Sequence, residues 1–106
     1  MASVKPALVL LHALSMSGGV WRNVVPLLSE DFQIYAPTAL GHRGGPHVQR
    51  HPVTATTLVD WAEGYLDEQG LDRPHVAGNS IGGLIAIELA RRGRAASMCA
   101  ISPPRS

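Results

Sequence analysis

Ser80 stands at the centre of a Gly-x-Ser-x-Gly pattern, Gly78-Asn79-Ser80-Ile81-Gly82, and could act as a nucleophile. In this pattern the serine sits on a sharp, strained turn between a strand and a helix, which lifts its hydroxyl clear of the backbone. Side chains two residues to either side would collide with the turn, so glycine is required at both positions. An apolar strand pattern before the turn and an apolar helix pattern after it predict a nucleophile elbow. The alternative is a glycine-rich turn that merely caps a helix.

Backbone groups near this turn could stabilise the negative charge that forms when the serine attacks a carbonyl. The N–H of Ile81 would lie at a helix N-terminus, directed at the position where the oxyanion forms. A second donor is expected in the loop after the first strand, His12-Ala13-Leu14, and we assign it to the N–H of Leu14. Losing one such donor typically costs about 3–4 kcal/mol of transition-state stabilisation.

The sequence offers Ser80 few partners for acid–base chemistry. All five histidines precede the serine, and Glu88 is the only acid that follows it. Glu88 lies about two helical turns beyond the elbow and is expected to be a solvated helix residue. His12 follows the first predicted strand, near the site, so a role as base stays open for it. A serine hydroxyl without a base is a weak nucleophile, and we expect little or no turnover from these residues alone.

The other histidines favour ordinary structural roles. His75 begins a predicted strand, at the end opposite the elbow. His42, His47 and His51 lie in a loop rich in proline and glycine, and we expect them to be solvated. Their spacing raises the idea of a metal site, but it offers neither a rigid element nor a fourth ligand. We therefore predict no metal and no cofactor.

The elements that must position Ser80 alternate along the chain. Short apolar runs predict four strands, at residues 7–11, 32–36, 75–77 and 97–101. Helical patterns begin near Asn23, at a capping box Thr57-x-x-Asp60, and at Ile81, where the helix continues to residue 92. Residues 37–55 have the composition of a long loop. This alternation favours a three-layer α/β sandwich, a mostly parallel sheet of about four strands with helices on both faces.

Composition and charge narrow the class of protein. The 106 residues carry a formal net charge of +1, and the arginines form no basic stripe with interleaved aromatics, so nucleic acid is not an expected partner. No apolar stretch reaches membrane-spanning length, so no membrane association is expected. Cys99 is the only cysteine and cannot form an internal disulfide. Its apolar neighbours predict a buried, inert thiol, and we expect a cytoplasmic protein.

Four segments together resemble the α/β-hydrolase superfamily, specifically the serine branch related to esterases and carbon–carbon bond hydrolases. They follow the family's order over nearly the whole chain: Val9-Leu10-Leu11-His12, Trp21, Gly41-His42-Arg43-Gly44 in the long loop, and the run from Gly78 to Gly83. The resemblance implies that Ser80 attacks an acyl carbonyl and that a downstream acid and histidine complete a triad. It also implies that His12 organises its loop, and that the strands lie in the order second, first, third, fourth.

The chain departs from the family's pattern in three places. Ala13 stands where glycine is usual, and if that position needs positive φ the alanine costs roughly 1–2 kcal/mol. Thr38 stands where an aspartate is common. The triad order in this fold is serine, acid, histidine, and no histidine follows Ser80. We therefore expect residues 1–106 to be a truncated α/β-hydrolase domain, the N-terminal half, ending after the strand that follows the nucleophile helix.

Functions from different classes fit these residues. The first is a serine-type hydrolase of esters or other acyl compounds, acting through Ser80 on a small-molecule acyl substrate, with an incomplete triad in this chain. The alternative is a catalytically inactive binding or interaction module of the same fold. In a third arrangement another chain donates the acid and the histidine. Dehalogenases and epoxide hydrolases of this fold carry aspartate at the nucleophile position, so both activities are disfavoured.

The predicted fourth strand, residues 97–101, would leave an open apolar edge on the sheet. Open edges of this kind invite pairing with another chain. We therefore expect this edge to form a homodimer or to pair with a missing C-terminal portion of the fold.

Overall fold

The fold is built from four strands and three α-helices in alternation, in a computed structural model that describes residues 5–13, 18–39 and 54–101. The strands are β1 (Ala7–Leu11), β2 (Gln33–Tyr35), β3 (His75–Asn79) and β4 (Ser97–Ile101). The helices are α1 (Val25–Leu28), α2 (Ala55–Glu68) and α3 (Ile81–Arg91), and a short 3-10 helix spans Gly18–Trp21. All strand pairs are parallel, in the order β2-β1-β3-β4. The predicted α/β class and strand order are confirmed.

The register of the sheet brings the carboxyl ends of its strands together. Leu11 pairs with Gly78 across β1 and β3, and Asn79 pairs with Ile101 across β3 and β4. His12 and Ser80, which follow β1 and β3 directly, therefore lie at the same edge of the sheet. In open parallel sheets this edge is where ligands bind.

Aliphatic side chains fill the space between the sheet and the two longer helices. The sheet contributes Val9, Leu11 and Val76 to this core, and the helices contribute Leu58, Val59, Ala62, Leu66, Ile85, Ala86 and Leu89. Burial of such side chains contributes roughly 1.5–3 kcal/mol for each large one. The N-terminus of α3 is therefore fixed relative to β1 and β3 by the packing of the whole helix.

Two predicted helix starts differ from the structure. The cap of α2 is Thr54, whose hydroxyl accepts a hydrogen bond from the N–H of Thr57 at 3.1 Å. Thr57 and Asp60 both lie inside the helix, so the predicted capping box is wrong. Only Thr54 has the extended backbone, with φ −105° and ψ 168°, that turns its hydroxyl towards the first helical N–H groups. The regular helix α1 begins at Val25, slightly later than the predicted start near Asn23. Pro26 lies in its first turn, where a missing N–H is tolerated.

All five residues of β4 are exposed, although four of them are apolar. Cys99, at the middle of the strand, is among the exposed residues, so the predicted buried thiol is wrong. The apolar neighbours of Cys99 would enclose it only if the strand were covered on both faces. Within the described ranges, β4 pairs with β3 alone.

Candidate active site

Ser80 forms the turn between β3 and α3 in a backbone conformation that L-residues rarely adopt. Its φ is 58° and its ψ is −114°, and it is the one non-glycine residue with positive φ in the described part of the chain. Such strain costs about 1–3 kcal/mol and persists where the surroundings enforce it. The N–H of Ser80 donates to the carbonyl of Ile101 at 2.7 Å, and its carbonyl accepts from the N–H of Leu84 at 3.1 Å. The residue itself is exposed, so a ligand can reach it.

The glycines around Ser80 are required by close contacts between backbone segments. A Cβ on Gly78 would collide with the carbonyl of Gly82, and a Cβ on Gly82 would collide with the carbonyl of Leu11. A Cβ on Gly83 would lie 3.3 Å from the Cβ of Ala100, which is tighter than ordinary packing. These contacts agree with the steric reason for the Gly-x-Ser-x-Gly pattern. They also press the start of α3 against the end of β1.

His12 is buried and hydrogen-bonded through both ring nitrogens. Its Nε2 accepts from the N–H of Ala39 at 2.8 Å, which requires that nitrogen to be unprotonated. The proton therefore lies on Nδ1, which donates to the carbonyl of Ala13 at 2.8 Å. A neutral imidazole with both nitrogens engaged links the segment after β1 to the segment after β2. This geometry fits the expected organising role and leaves the ring no free nitrogen with which to act as the base.

A second hydrogen bond joins the same two segments. The N–H of Gly18 donates to Thr38 Oγ1 at 2.9 Å, and a side chain at Gly18 would collide with the carbonyl of Ala36. A neutral hydroxyl thus serves as acceptor where the family commonly has aspartate. Sequence reasoning missed this contact because nothing local marks two residues 20 positions apart as partners. The strain considered for Ala13 does not arise, since its φ is not positive.

Of the two predicted oxyanion-hole donors, Ile81 lies within the described residues and Leu14 does not. Ile81 is the first residue of α3, so its N–H has no intrahelical acceptor and lies at the positive end of the helix dipole. It directly follows Ser80 in the chain. Leu14 lies outside the described residues, so its predicted role stays a prediction.

The other titratable residues singled out by sequence lie away from Ser80 or outside the described residues. Glu88 forms an ion pair with Arg91 at 3.3 Å, as expected of a solvated helix residue. His75 opens β3, at the far end from the elbow, and its Nδ1 shares a hydrogen bond with Ser97 Oγ at 2.6 Å. The loop residues His42, His47 and His51 lie outside the described residues.

Neither a metal cluster nor a membrane-spanning helix is found in the described ranges. No three histidine, cysteine, aspartate or glutamate side chains within residues 5–13, 18–39 and 54–101 are grouped so that they could hold a metal ion. No helix in those ranges combines the length and the apolar character needed to cross a membrane. Among the described residues, this edge of the sheet presents the Ser80 hydroxyl and the backbone N–H of Ile81.

Several known proteins are similar to this chain in sequence or in structure. A pimeloyl-[acyl-carrier protein] methyl ester esterase of Aromatoleum aromaticum is 39% identical over 88 residues, covering 83% of this chain and 32% of the esterase. The epoxide hydrolase EphH of Mycobacterium tuberculosis is 47% identical over 51 residues, covering 48% of this chain and 24% of that enzyme. The crystal structure of a hydrolase from Pseudomonas aeruginosa, 28% identical, superposes with a TM-score of 0.82 over 92% of this chain and 37% of its own.

The region of similarity contains the site. The pattern that defines the alpha/beta hydrolase family matches residues 8–106, which include His12, Thr38 and the Ser80 elbow. The chain spans about a third of the length of the esterase that it matches, at 32%. The match extends over nearly the whole chain, and the sheet has the family's strand order. The chain belongs to the alpha/beta hydrolase family.

Proposed function

We propose that this chain supplies the nucleophile, Ser80, and the oxyanion-binding backbone of a serine hydrolase that acts on esters or other acyl compounds. The observation that carries the proposal is the strained, exposed backbone of Ser80 at the start of α3, with φ 58°. Glycine would relieve that strain, and glycine is present at positions 78 and 82 of the same turn. A serine in this strained conformation, where glycine would be less strained, supports a need for its hydroxyl.

In the proposed reaction, Ser80 Oγ attacks the carbonyl carbon of an ester while its proton passes to a base. The carbonyl oxygen becomes an oxyanion, and the N–H groups of Ile81 and Leu14 are the proposed donors to it. When the intermediate collapses, the carbon–oxygen bond to the leaving group breaks and the base returns its proton, so an alcohol departs. Water then attacks the acyl-serine and releases the acid. Because both nitrogens of His12 are engaged, the base must come from outside the described residues.

Esters are better proposed substrates than epoxides. A serine that opened an epoxide would be left as an ether, which water does not readily cleave, whereas an acyl-serine is an ester that water hydrolyses. The relative from Mycobacterium tuberculosis is named an epoxide hydrolase, but the relative from Aromatoleum aromaticum is named a methyl ester esterase. The Ser80 hydroxyl fits the chemistry of the second name. We propose a small acyl compound as substrate.

Covalent labelling and turnover test the proposal together. Incubation with a fluorophosphonate should label the chain at Ser80, with intact-mass analysis reporting one adduct, and Ser80→Ala should abolish it. Hydrolysis of p-nitrophenyl acetate should be slow and should fall to the background rate in the same variant. Ser29→Ala is the matched control, since Ser29 is an exposed serine at the end of α1. Equal labelling or equal hydrolysis in the wild type and Ser80→Ala would refute the proposal.

The alternative, a binding module without activity, is favoured by one observation. Both ring nitrogens of His12, the described histidine nearest Ser80, are engaged in hydrogen bonds. If this alternative holds, the folded chain will resist the fluorophosphonate even at long incubation. Labelling that appears only when a second polypeptide is added would instead support donation of the base by another chain.

The proposed setting of the protein is the cytoplasm, where a lone cysteine such as Cys99 would remain reduced. Fractionation of the native cells, with an antibody against the chain, would test this location.

A further inference from the structure

Two consecutive residues after β2 hold two separate places in the chain after β1. Thr38 Oγ1 accepts a hydrogen bond from the N–H of Gly18 at 2.9 Å. The N–H of the next residue, Ala39, donates to His12 Nε2 at 2.8 Å. One hydrogen bond therefore uses the side chain of Thr38 and the other uses the backbone of Ala39. The first can be removed by a substitution that leaves the second in place.

The backbone at Gly18 is in close contact with the segment after β2. Gly18 is buried, and a Cβ there would collide with the carbonyl of Ala36 and lie 3.1 Å from the carbonyl oxygen of Pro37. Thr38 is half-buried, so water competes only in part for the N–H of Gly18. Two heavy atoms on the Cβ of threonine restrict its χ1, which keeps the hydroxyl oxygen in place as the acceptor.

Residues 14–17 connect Ala13 to Gly18 in the sequence, and Leu14, the second donor in the proposed reaction, is among them. Ala13 is held because its carbonyl accepts from His12 Nδ1 at 2.8 Å. A short connection with both ends held has far fewer conformations than one with a free end. An oxyanion donor acts best when it is in place before the charge develops. The hydrogen bond at Gly18 therefore bears on the chemistry as well as on the fold.

We propose that Thr38 is a positioning residue for the oxyanion hole. Its hydroxyl oxygen holds the Gly18 end of the stretch that carries Leu14, and it takes no part in proton transfer. The proposal rests on the function proposed for Ser80. A hydroxyl that only satisfied the N–H of Gly18 would contribute to the stability of the fold and to nothing else.

Thr54 provides a matched comparison for that purely structural role. Its hydroxyl accepts from the N–H of Thr57 at 3.1 Å, at the start of α2. In both cases a threonine hydroxyl accepts from a backbone N–H. Thr38→Val and Thr54→Val therefore remove the same kind of bond by the same change of side chain. Thr54 has no place in the proposed oxyanion hole.

The rate at which a fluorophosphonate labels Ser80 tests the positioning role. Thr38→Val should lower the maximal rate by about tenfold or more and change the half-saturating reagent concentration by less than about twofold, because the donor acts on charge that develops after binding. Thr38→Ser keeps the acceptor and should label within about threefold of the wild-type rate. Thr54→Val should label at the wild-type rate. Amide hydrogen exchange at Gly18 should become faster in Thr38→Val alone.

Three results would overturn the positioning role. The first is an unchanged maximal rate in Thr38→Val although exchange at Gly18 is faster. The second is equal slowing by Thr38→Val and Thr54→Val, which would assign the effect to stability. The third is a failure of Thr38→Ser to restore the rate, which would assign the effect to shape. If circular dichroism shows that Thr38→Val does not fold, Thr38→Ala and Thr54→Ala replace the two valine variants.

Failure of the positioning role and failure of the proposed function give different results. A wild type that the fluorophosphonate does not label would refute the function proposed for Ser80, and the positioning role with it. Exchange at Gly18 would then still report whether Thr38 holds that N–H. Labelling of the wild type and of Thr38→Val at the same maximal rate would leave the function intact and refute the positioning role alone.

Discussion

The two ends of the sheet are held together by different kinds of contact. At the carboxyl end, backbone segments approach so closely that Gly78 and Gly82 leave no room for a side chain, and Ser80 is held in a strained conformation. At the amino end, charged side chains connect the loops, chiefly through Arg94. Close backbone packing fixes atoms within narrow limits, whereas long charged side chains adapt to small movements. The more rigid kind of contact lies at the end where we propose the chemistry.

Arg94 shows what holds the amino end. Its guanidinium donates to the carboxylates of Glu63 at 2.9 Å and Asp67 at 2.8 Å, and to the carbonyls of Leu71 at 3.0 Å and Asp72 at 2.9 Å. It thereby ties the loop before β4 to α2 and to the loop before β3. The hydrogen bonds to Asp67 and Glu63 raise the pKa of Arg94 further above its usual value, so the group remains charged wherever the protein is folded.

The largest effect is expected from filling the space at the carboxyl end. Gly82→Ala would drive a methyl group into the carbonyls of Leu11 and His12, and neither backbone segment can withdraw without breaking the sheet. We expect a loss of more than about 3 kcal/mol in the free energy of unfolding, measured by urea denaturation. The control is Gly64→Ala, at a helical position of α2 with open space around it. That change should stabilise the chain by about 0.5–1 kcal/mol, and equal destabilisation by both would contradict the steric argument.

A smaller loss is expected from removing the buried acceptor at the same end. His12→Ala leaves the N–H of Ala39 buried without its partner, which should cost about 1–3 kcal/mol. His12→Gln offers an amide oxygen as a replacement acceptor and should recover part of that loss. Amide hydrogen exchange at Ala39 reports the bond directly. Exchange at Ala39 that is as slow in His12→Ala as in the wild type would show that this bond does not hold the segment after β2.

Sequence patterns identified the carboxyl end well, because its constraints are local. The requirement for glycine on both sides of Ser80, and the strand and helix that flank the turn, follow from five consecutive residues and their neighbours. The strand at residues 97–101 was also located correctly from its apolar run. The strand order came from the resemblance to a family, since no pattern within one strand states which strand lies beside it.

Most contacts at the amino end of the sheet could not be predicted from the sequence. Arg91, Arg92 and Arg94 lie at the end of α3 or just after it, and only Arg91 pairs within its own helix, with Glu88. Arg92 and Arg94 reach residues about 30 positions earlier in α2. The burial of Cys99 was misjudged for a related reason. Apolar neighbours in sequence indicate a strand, but whether that strand is covered depends on elements elsewhere.

Breaking the amino end should cost less than breaking the carboxyl end. Arg94→Ala removes a guanidinium that is 17% exposed and leaves two carboxylates and two carbonyls without it. Because water can replace part of these contacts, we expect a loss of about 1–2 kcal/mol, and the loss should shrink in high salt. Arg91→Ala, which removes an exposed pair within one helix, should change stability by less than about 0.5 kcal/mol. A loss from Arg91→Ala as large as that from Arg94→Ala would contradict this ranking.

The smallest effect on stability is expected at Tyr65, which lies in α2 between the ion-paired residues Glu63 and Asp67. Burial, and to a lesser extent the nearby Tyr35, raise the pKa of Tyr65 above 10.0. The unfolded chain therefore releases this proton at a lower pH than the folded chain does. The stabilising contribution of the neutral Tyr65 side chain is complete below about pH 10. It is lost as the pH rises through the higher pKa that Tyr65 has in the folded chain, so alkaline pH lowers the free energy of unfolding.

Tyr65→Phe should remove that dependence, because phenylalanine has no proton to release. The free energies of unfolding of the wild type and the variant are compared by urea denaturation from about pH 9 to pH 11. Over this range the wild type should lose stability relative to the variant, by less than about 1 kcal/mol. Arg94 keeps its charge over this range and contributes equally to both proteins, so the comparison isolates the hydroxyl. Parallel curves for the two proteins would mean that Tyr65 is as well solvated when folded as when unfolded. In that case Tyr65 would pack against the hydrophobic core less closely than the structure indicates.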